Sequence, residues 1–420
     1  MTIEQSFALA RERYAEHGAD VDAALSTLAT VSLSIHCWQG DDVGGFERPD
    51  ASLSGGGIQV TGNYPGRARN VGELHMDLEK ALSLLPGRHR VNLHAMYGEF
   101  GGKRVDRDQV EPAHYRGWVE WAKPKGLKLD FNPTLFSHPK AADGWTLSHP
   151  DEGVRAFWVE HVRRCRAIAA YLGRELGSPC IHNLWIPDGA KDLVADRWTA
   201  RRLLRQALDA IFVTAYPANE MRDSLESKLF GIGSEAFVVG SHEFYLGYAL
   251  AKGKMICLDL GHFHPTESIA DKVSAILQFS NELLLHLSRG LRWDSDHVVT
   301  LNDEVQAVMA EVVRGDALGR VHLALDYFDA SMNRVGAWVI GGRATLKALL
   351  AALLEPREKL RAAEAAGNNF ARLALLEEIK ALPLGAVWDY RCHQSGVPAG
   401  SGWWRDVHTY EANVLSKRFA

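Results

Sequence analysis

Short apolar runs rich in β-branched residues alternate along the chain with longer stretches whose apolar residues recur every three or four positions. The short runs have the length and composition of buried strands, and the longer stretches have the spacing of one helix face. The runs begin at Thr30, Arg90, Leu127, Cys180, Ser224, Lys254, Leu283 and Arg320. Strands that alternate with helices form parallel βα units, and eight such units close into a barrel. The pattern therefore predicts an α/β fold, a (β/α)8 TIM barrel.

Turn and cap residues set the ends of several connecting segments. The helix from Glu152 is expected to end before Gly177, and Thr266 is placed to cap the start of a later helix. The stretch from Gln39 to Asn70 is rich in Gly, Asp, Asn and Pro, which predicts a long first βα loop. A loop of this length is usually functional or contacts a neighbouring subunit.

The pattern changes after Ala330, where dense Ala and Leu at helical spacing replace the alternation of strands and helices. We therefore predict a catalytic barrel with an N-terminal helix at residues 1–335 and a helical C-terminal extension at residues 336–420. We interpret the extension as a helical appendage rather than an independent catalytic domain, because it lacks a second set of βα units. We expect it to contribute oligomer contacts.

Composition narrows the classes of partner. The chain has 420 residues, 46% of them hydrophobic, and a formal net charge of −5. No general basic field exists to attract nucleic acid or an anionic membrane surface, and we expect neither partner. No apolar run reaches the ~18 residues of a membrane helix, and the N-terminal stretch lacks the apolar core of a signal peptide. The five cysteines are scattered and form no CxxC pair, which indicates free thiols and a cytoplasmic location.

Ionisable residues collect at the predicted carboxyl ends of the last four strands, where a barrel of this kind places its active site. In chain order they are Glu226, Lys228, Asp259, His262, His286, Asp294, Asp296 and Asp326. Residues two apart in an extended run point the same way, so Glu226 and Lys228 form one such pair and Asp294 and Asp296 another. The set therefore predicts one polar centre at the mouth of the barrel.

Five carboxylates in such a centre would repel one another and have raised pKa values without cations. Two divalent cations together with Lys228 would nearly balance their charge. A ligand set dominated by carboxylates with a minority of imidazole favours Mn2+, Mg2+ or Co2+ over a thiolate-type zinc site.

Each residue also has an ordinary structural interpretation when it is taken alone. Asp326 or Glu226 is more often a helix cap or a salt-bridge partner, His286 in an apolar strand is usually a core residue, and Lys228 pairs with Glu226. Independent structural roles do not explain why such residues occur at four consecutive strand ends.

The segments ESKLFG, LDLGHFHPTE, RWDSDHVV and LDYFDASMNR resemble the metal segments of L-rhamnose isomerases. In the first half of the chain, SIHCWQGDDV, GNYPGRARN, VNLHAMY, LDFNPTLFSHP and NLWIPDG resemble the same family. The resemblance extends over essentially the whole chain, including the helical tail, and implies the reversible conversion of L-rhamnose to L-rhamnulose by a metal-assisted 1,2-hydride shift.

The resemblance also implies site residues. The implied ligands of a structural metal are Glu226, Asp259, His286 and Asp326, and those of a catalytic metal are His262, Asp294 and Asp296, with Asp259 touching both metals. It implies Mn2+, with Zn2+, Co2+ or Mg2+ possible at the structural site, and a homotetramer. The more distant xylose isomerases have an acid where His286 stands, and their ring-opening His is followed three positions later by Asp, whereas here Tyr97 follows His94.

Chemical roles follow from the implied reaction. Lys228 is expected to donate a hydrogen bond to substrate O1, and Asp296 to orient the water that carries a proton between the two hydroxyl groups. His94 is expected to contact O5 or assist ring opening. Trp185, Phe131 and Trp38 at early strand ends are expected to cover the sugar and exclude water, although each could instead be ordinary packing.

Two other functions remain open at this point. A metal-dependent phosphodiester hydrolase on a similar barrel also lines its strand ends with His, Asp and Glu, but it predicts a basic rim and more His ligands. A sugar-binding or scaffold protein with structural metals would leave Lys228 and the pair Asp294 and Asp296 without a function.

Overall fold

The computed structural model describes residues 1–47, 58 and 60–418, and the side chains of residues 293–296 are outside this description. Its main sheet is a closed barrel of parallel strands that follow one another around the barrel in chain order. The strands are β1 Ser32–His36, β2 Arg88–His94, β3 Lys128–Asn132, β4 Cys180–Trp185, β5 Met221–Glu226, β6 Met255–Asp259, β7 Leu283–Leu287 and β8 Val321–Leu325. All the predicted runs form barrel strands, which confirms the predicted TIM barrel.

Register brings the strand ends together at one mouth. Trp185 pairs with Glu226 between β4 and β5, and Asp259 pairs with His286 between β6 and β7. The barrel closes where Leu33 of β1 pairs with Leu323 of β8. Because all the strands are parallel, their carboxyl ends form one rim and carry the site.

The interior of the barrel is divided between apolar and polar residues. A small apolar cluster consists of Ile181, Met255, Cys257, Leu284 and Ala324. On the polar side, Arg90 and Asp130 form an ion pair of 2.7 Å, and Asn132 Nδ2 donates to Asn92 Oδ1 at 2.6 Å. These polar side chains inside the barrel therefore bind one another in pairs.

Helices surround the barrel and extend beyond it. They are α1 Ile3–His17, α2 Val21–Leu28, α3 Val71–Leu82, α4 Arg116–Ala122, α5 Glu152–Leu176, α6 Arg197–Ile211, α7 His242–Lys252, α8 Ile269–Leu277, α9 Asp303–Arg314, α10 Arg334–Leu353, α11 Arg357–Ala365, α12 Asn369–Glu378, α13 Leu384–Gln394 and α14 Gly402–Asn413. Helix α5 ends at Gly177 with φ of 62°, as predicted. The predicted cap at Thr266 is wrong, because Ser268 accepts from the Asp271 amide and α8 starts later.

Helix α10 completes the ring of helices, because it contacts β1 and packs against α2, α3 and α9. It is the single helix in the described part of the chain that is long and apolar enough to cross a membrane, and 83% of its apolar window is buried inside the fold. That burial is typical of a core helix. The predicted division into residues 1–335 and 336–420 stays a prediction.

Two small antiparallel sheets of two strands each lie beyond the barrel strands. Gly189–Ala190 pairs with Phe237–Val238, and Arg289–Leu291 pairs with Trp293–His297. In the first βα connection, the described residues 40–47, 58 and 60–70 contain neither helix nor strand, and Asn70 caps α3. The predicted long loop is confirmed in that described part.

Candidate active site

A cavity opens at the carboxyl ends of the strands and contains most of the predicted site residues. It is lined by Trp38, Val43, Ile58, His94, Asn132, Phe136, Asn183, Trp185, Glu226, Lys228, His262, His286, Asp326 and Phe328. A larger cavity of about 330 Å³ lies at the opposite end of the barrel, but the ion pair between Arg90 and Asp130 already neutralises the charges there. The reactive groups are at the carboxyl-end mouth.

Four side chains from consecutive strands converge under this mouth. Glu226 ends β5, Asp259 ends β6, His286 is the fourth residue of β7, and Asp326 follows β8 directly. Each offers one ligand atom, and these atoms all lie within 4.8 Å of one another. This is the four-residue set that the resemblance implies for the structural metal, which we call the first metal. We call the set the metal cluster.

His286 stands at the middle of the metal cluster. Its Nδ1 lies 2.9 Å from Asp326 Oδ2, 3.3 Å from Glu226 Oε2 and 3.9 Å from Asp259 Oδ2. His286 is 1% exposed and Glu226 is 2% exposed, so water screens these charges little. Three carboxylates around one imidazole form a donor set that suits a divalent cation.

Electrostatic coupling within the metal cluster overcomes the effect of burial. Burial alone would lower the pKa of His286, but the charges of Cys257, Glu226 and Asp326 raise it well above its usual range. Burial would raise the pKa of Glu226, but His286 and His262 hold it well below its usual range. The cluster therefore favours a cation at its centre.

His262 borders the metal cluster, and Lys228 lines the same cavity. His262 Nδ1 is 3.1 Å from Glu226 Oε1 and 3.1 Å from the carbonyl oxygen of Ser227. Lys228 is 9% exposed, and its Nζ lies 5.3 Å from the centre of the Trp185 ring. The aromatic face holds the ammonium group beside the cavity, as a cation–π contact does.

Three of the predicted site residues in the first half of the chain line the cavity. His94 lines the cavity, and its Nδ1 is 3.2 Å from Thr134 Oγ1. Burial and the charge of Arg107 lower the pKa of His94 to about 3, so its imidazole is neutral. Trp38 and Trp185 also line the cavity.

The expectation that Phe131 covers the sugar is wrong. Its neighbours Asp130 and Asn132 face the barrel interior, so alternation turns Phe131 outward, where its ring lies 4.9 Å from that of Tyr115. Phe136 lines the cavity instead.

Comparisons with known proteins match this chain to one family over nearly its full length. Residues 1–418 match the L-rhamnose isomerase (RhaA) family. The chain belongs to the L-rhamnose isomerase family. It is 60% identical over 416 residues to the L-rhamnose isomerase of Rhodopirellula baltica, with 99% of this chain and 97% of that protein covered.

A second relative by sequence supports this assignment. The L-rhamnose isomerase of Bacteroides thetaiotaomicron is 55% identical over 416 residues, with 99% of each chain covered. A solved L-ribulose 3-epimerase structure aligns with a TM-score of 0.46 and 13% identity, covering 81% of this chain and 99% of that chain. The L-rhamnose isomerase family consists of aldose–ketose isomerases, and none of these findings supports the phosphodiester hydrolase.

Two predicted ligands of the second metal, Asp294 and Asp296, lie on a short strand that follows β7. The backbone of Asp294 and Asp296 is extended within Trp293–His297, as predicted, but their side chains lie outside the described residues. Of His262, Asp294 and Asp296, only His262 has a described side chain, and it borders the metal cluster.

The sequence interpretation missed several polar residues that touch the metal cluster. Asn183 Nδ2 donates to Glu226 Oε2 at 2.5 Å, and Ser288 Oγ donates to Asp259 Oδ1 at 2.6 Å. Alternation supplied a usable signal, since Asn183 lies two residues before Trp185 and Ser288 lies two residues after His286. Phe328 and Val43, which also line the cavity, follow no such signal.

Proposed function

We propose that this protein interconverts L-rhamnose and L-rhamnulose by a 1,2-hydride shift at a centre that holds two divalent metals. The observation that carries the proposal is the metal cluster, whose four ligand atoms lie within 4.8 Å of one another at the active end of the barrel. The family membership of the chain supplies the class of substrate.

The first metal is assigned to the metal cluster. Its three carboxylates and one imidazole are hard and borderline ligands in a buried position, which suits Mn2+ and also accommodates Zn2+, Co2+ or Mg2+. The second metal would be held by His262, Asp294 and Asp296, together with Asp259.

The bound metals would polarise the substrate carbonyl and stabilise negative charge on O1 and O2 while hydrogen moves between C1 and C2. Lys228 donates a hydrogen bond to O1 as charge develops there, and the Trp185 ring holds its ammonium in place. Asp296 orients the water that carries a proton between O1 and O2. His94, neutral because of burial, binds O5 or assists ring opening.

Aromatic side chains keep water from the reacting carbons. Trp185, Trp38 and Phe136 surround the cavity, and the rings of Phe136 and Trp185 meet edge to face at 5.9 Å. A dry cavity favours hydride transfer because it strengthens electrostatic interactions and excludes competing proton donors.

The cellular setting is part of the proposal. The five cysteines are buried and free, which suits the reducing cytoplasm. We assign the enzyme to a homotetramer, with the long first loop and the helical extension as contact elements.

The deciding experiment measures L-rhamnulose formation from L-rhamnose by chelator-stripped protein, before and after addition of Mn2+. We expect no activity without metal and restored activity with it. Failure to convert any aldose with Mn2+, Co2+ or Zn2+ would overturn the proposal, and sugar binding without turnover would instead support a binding protein.

A further inference from the structure

A neutral donor holds one oxygen of each carboxylate in the metal cluster. Asp259 Oδ1 accepts from the Ser288 hydroxyl at 2.6 Å and from the Gly261 amide at 2.7 Å. Its other oxygen, Oδ2, faces His286 Nδ1 at 3.9 Å. One oxygen of Asp259 is thus fixed from behind while the other faces the centre of the cluster.

Asp326 shows the same division. Trp38 Nε1 donates to Asp326 Oδ1 at 3.1 Å, while Asp326 Oδ2 lies 2.9 Å from His286 Nδ1. Trp38 is 3% exposed and comes from the turn after β1, next to β8 in the closed barrel. A tryptophan that lines the cavity therefore also fixes the orientation of a candidate metal ligand.

Glu226 is held by a residue of β4, the strand that pairs with β5. Asn183 Nδ2 donates to Glu226 Oε2 at 2.5 Å, and both side chains are 2% exposed. Asn183 lies on β4, two residues before Trp185, which pairs with Glu226 in register. The donor therefore reaches the carboxylate from the layer below it.

The chemistry of these donors is suited to orientation. An indole N–H, a hydroxyl and an amide carry no net charge, so they fix a carboxylate without competing with a cation for its position. Buried donors of this kind limit rotation of the carboxylate, and losing one leaves a more mobile ligand that binds metal less tightly.

We propose that Ser288, Trp38 and Asn183 are positioning residues that fix the carboxylates of Asp259, Asp326 and Glu226 for the first metal. This inference rests on the proposed function, because it takes the metal cluster as a metal site. It assigns to Trp38 a task beyond covering the sugar.

The test measures metal affinity without turnover. Mn2+ and Zn2+ are titrated against a competing chelator in a His262→Ala background, which removes a proposed ligand of the second site. Ser288→Ala and Trp38→Phe should each weaken first-site affinity by about 10-fold to 100-fold. Asn183→Leu should act in the same direction.

Matched controls separate positioning from general destabilisation. Ser224→Ala removes a buried hydroxyl of the barrel that has no hydrogen-bond partner in the described structure. Trp388→Phe removes a buried indole N–H that also has no hydrogen-bond partner there. Both controls should keep first-site affinity within about 2-fold of the parent, the scatter expected of a neutral change. Ser288→Thr keeps the hydroxyl and should restore most of the affinity that Ser288→Ala loses.

A second measurement reports the carboxylates directly. The separation of the symmetric and antisymmetric carboxylate stretches in the infrared difference spectrum, metal-loaded minus stripped, should change in Ser288→Ala and Trp38→Phe and stay unchanged in the controls. Wild-type affinity and spectra in all three donor variants would overturn this inference alone. A wild-type protein that binds no divalent metal would overturn the proposed function together with it.

Discussion

Asp41 places a buried carboxyl group in the turn that brings Val43 into the cavity. It is 3% exposed, and its carboxylate accepts from the Tyr97 hydroxyl and the Gly45 amide, each at 2.7 Å. Val43 and Asp42 have φ of 59°, in the left-handed region that costs an L-residue about 1 to 2 kcal/mol. The contacts of Asp41 hold this strained turn.

Burial raises the pKa of Asp41 from 3.8 to about 7, although the hydrogen bonds from Tyr97 and Gly45 lower it. Because the pKa in the folded state exceeds that in the unfolded state, folding favours the protonated form. The resulting stabilisation is fully present below pH 3.8 and is lost as the pH rises through about 7. The shift corresponds to about 4 kcal/mol in total, of which about 3 kcal/mol is lost between pH 5 and pH 8.5.

The perturbation that tests this account is Asp41→Asn, which removes the titration and keeps the shape. Its amide oxygen can accept from Gly45, and its NH2 group can donate to the Tyr97 oxygen. We measure the free energy of unfolding of both proteins by urea denaturation at fixed protein concentration. The value for the variant minus the value for the wild type should increase by about 3 kcal/mol from pH 5 to pH 8.5, because only the wild type loses stability. The exposed Asp22→Asn serves as control. An equal difference at both pH values would refute the reasoning.

Other predictions concern the site and its support. Lys228→Met should lower turnover by about 100-fold or more while metal content by elemental analysis stays unchanged; normal turnover would remove Lys228 from the mechanism. Glu226→Gln should lower first-site metal occupancy and, with metal present, the melting temperature in calorimetry. Arg334→Met should lower the free energy of unfolding in urea by about 3 kcal/mol. The substitution removes the guanidinium group that donates to the Asp42 carboxylate at 2.6 and 2.7 Å. Sedimentation at assay concentration should give a tetramer mass, and a monomer would contradict the proposed assembly.

The barrel and its active end could be predicted because both follow from local pattern. Eight strand runs separated by helical stretches leave few topologies, and parallel strands place all their carboxyl ends at one rim. Glu226, Asp259, His286 and Asp326 were predictable as a group for this reason, although they are far apart in sequence. The reaction itself was predictable only through the family resemblance of whole segments.

Details that depend on contacts between strands could not be predicted in the same way. Ser288 and Trp38 look like ordinary strand-end residues until the register places them beside Asp259 and Asp326. Phe131 shows the opposite error, since its position near a strand end suggested a cavity residue while alternation turned it into the outer core. The cap of α8 was misplaced because Thr266 and Ser268 are both good N-cap residues, and only packing selects between them.

The metal cluster depends on closure of the whole barrel. Its four proposed ligands come from β5 to β8, but two of the donors that orient them come from β4 through Asn183 and from the turn after β1 through Trp38. The contact between Trp38 and Asp326 exists only when β1 and β8 are paired, and this pairing joins the two ends of the barrel sequence. A partly folded chain without that pairing would hold Asp326 loosely and bind metal weakly. Metal binding and barrel closure should therefore stabilise each other, because a ligand that binds only the closed form shifts the equilibrium toward it.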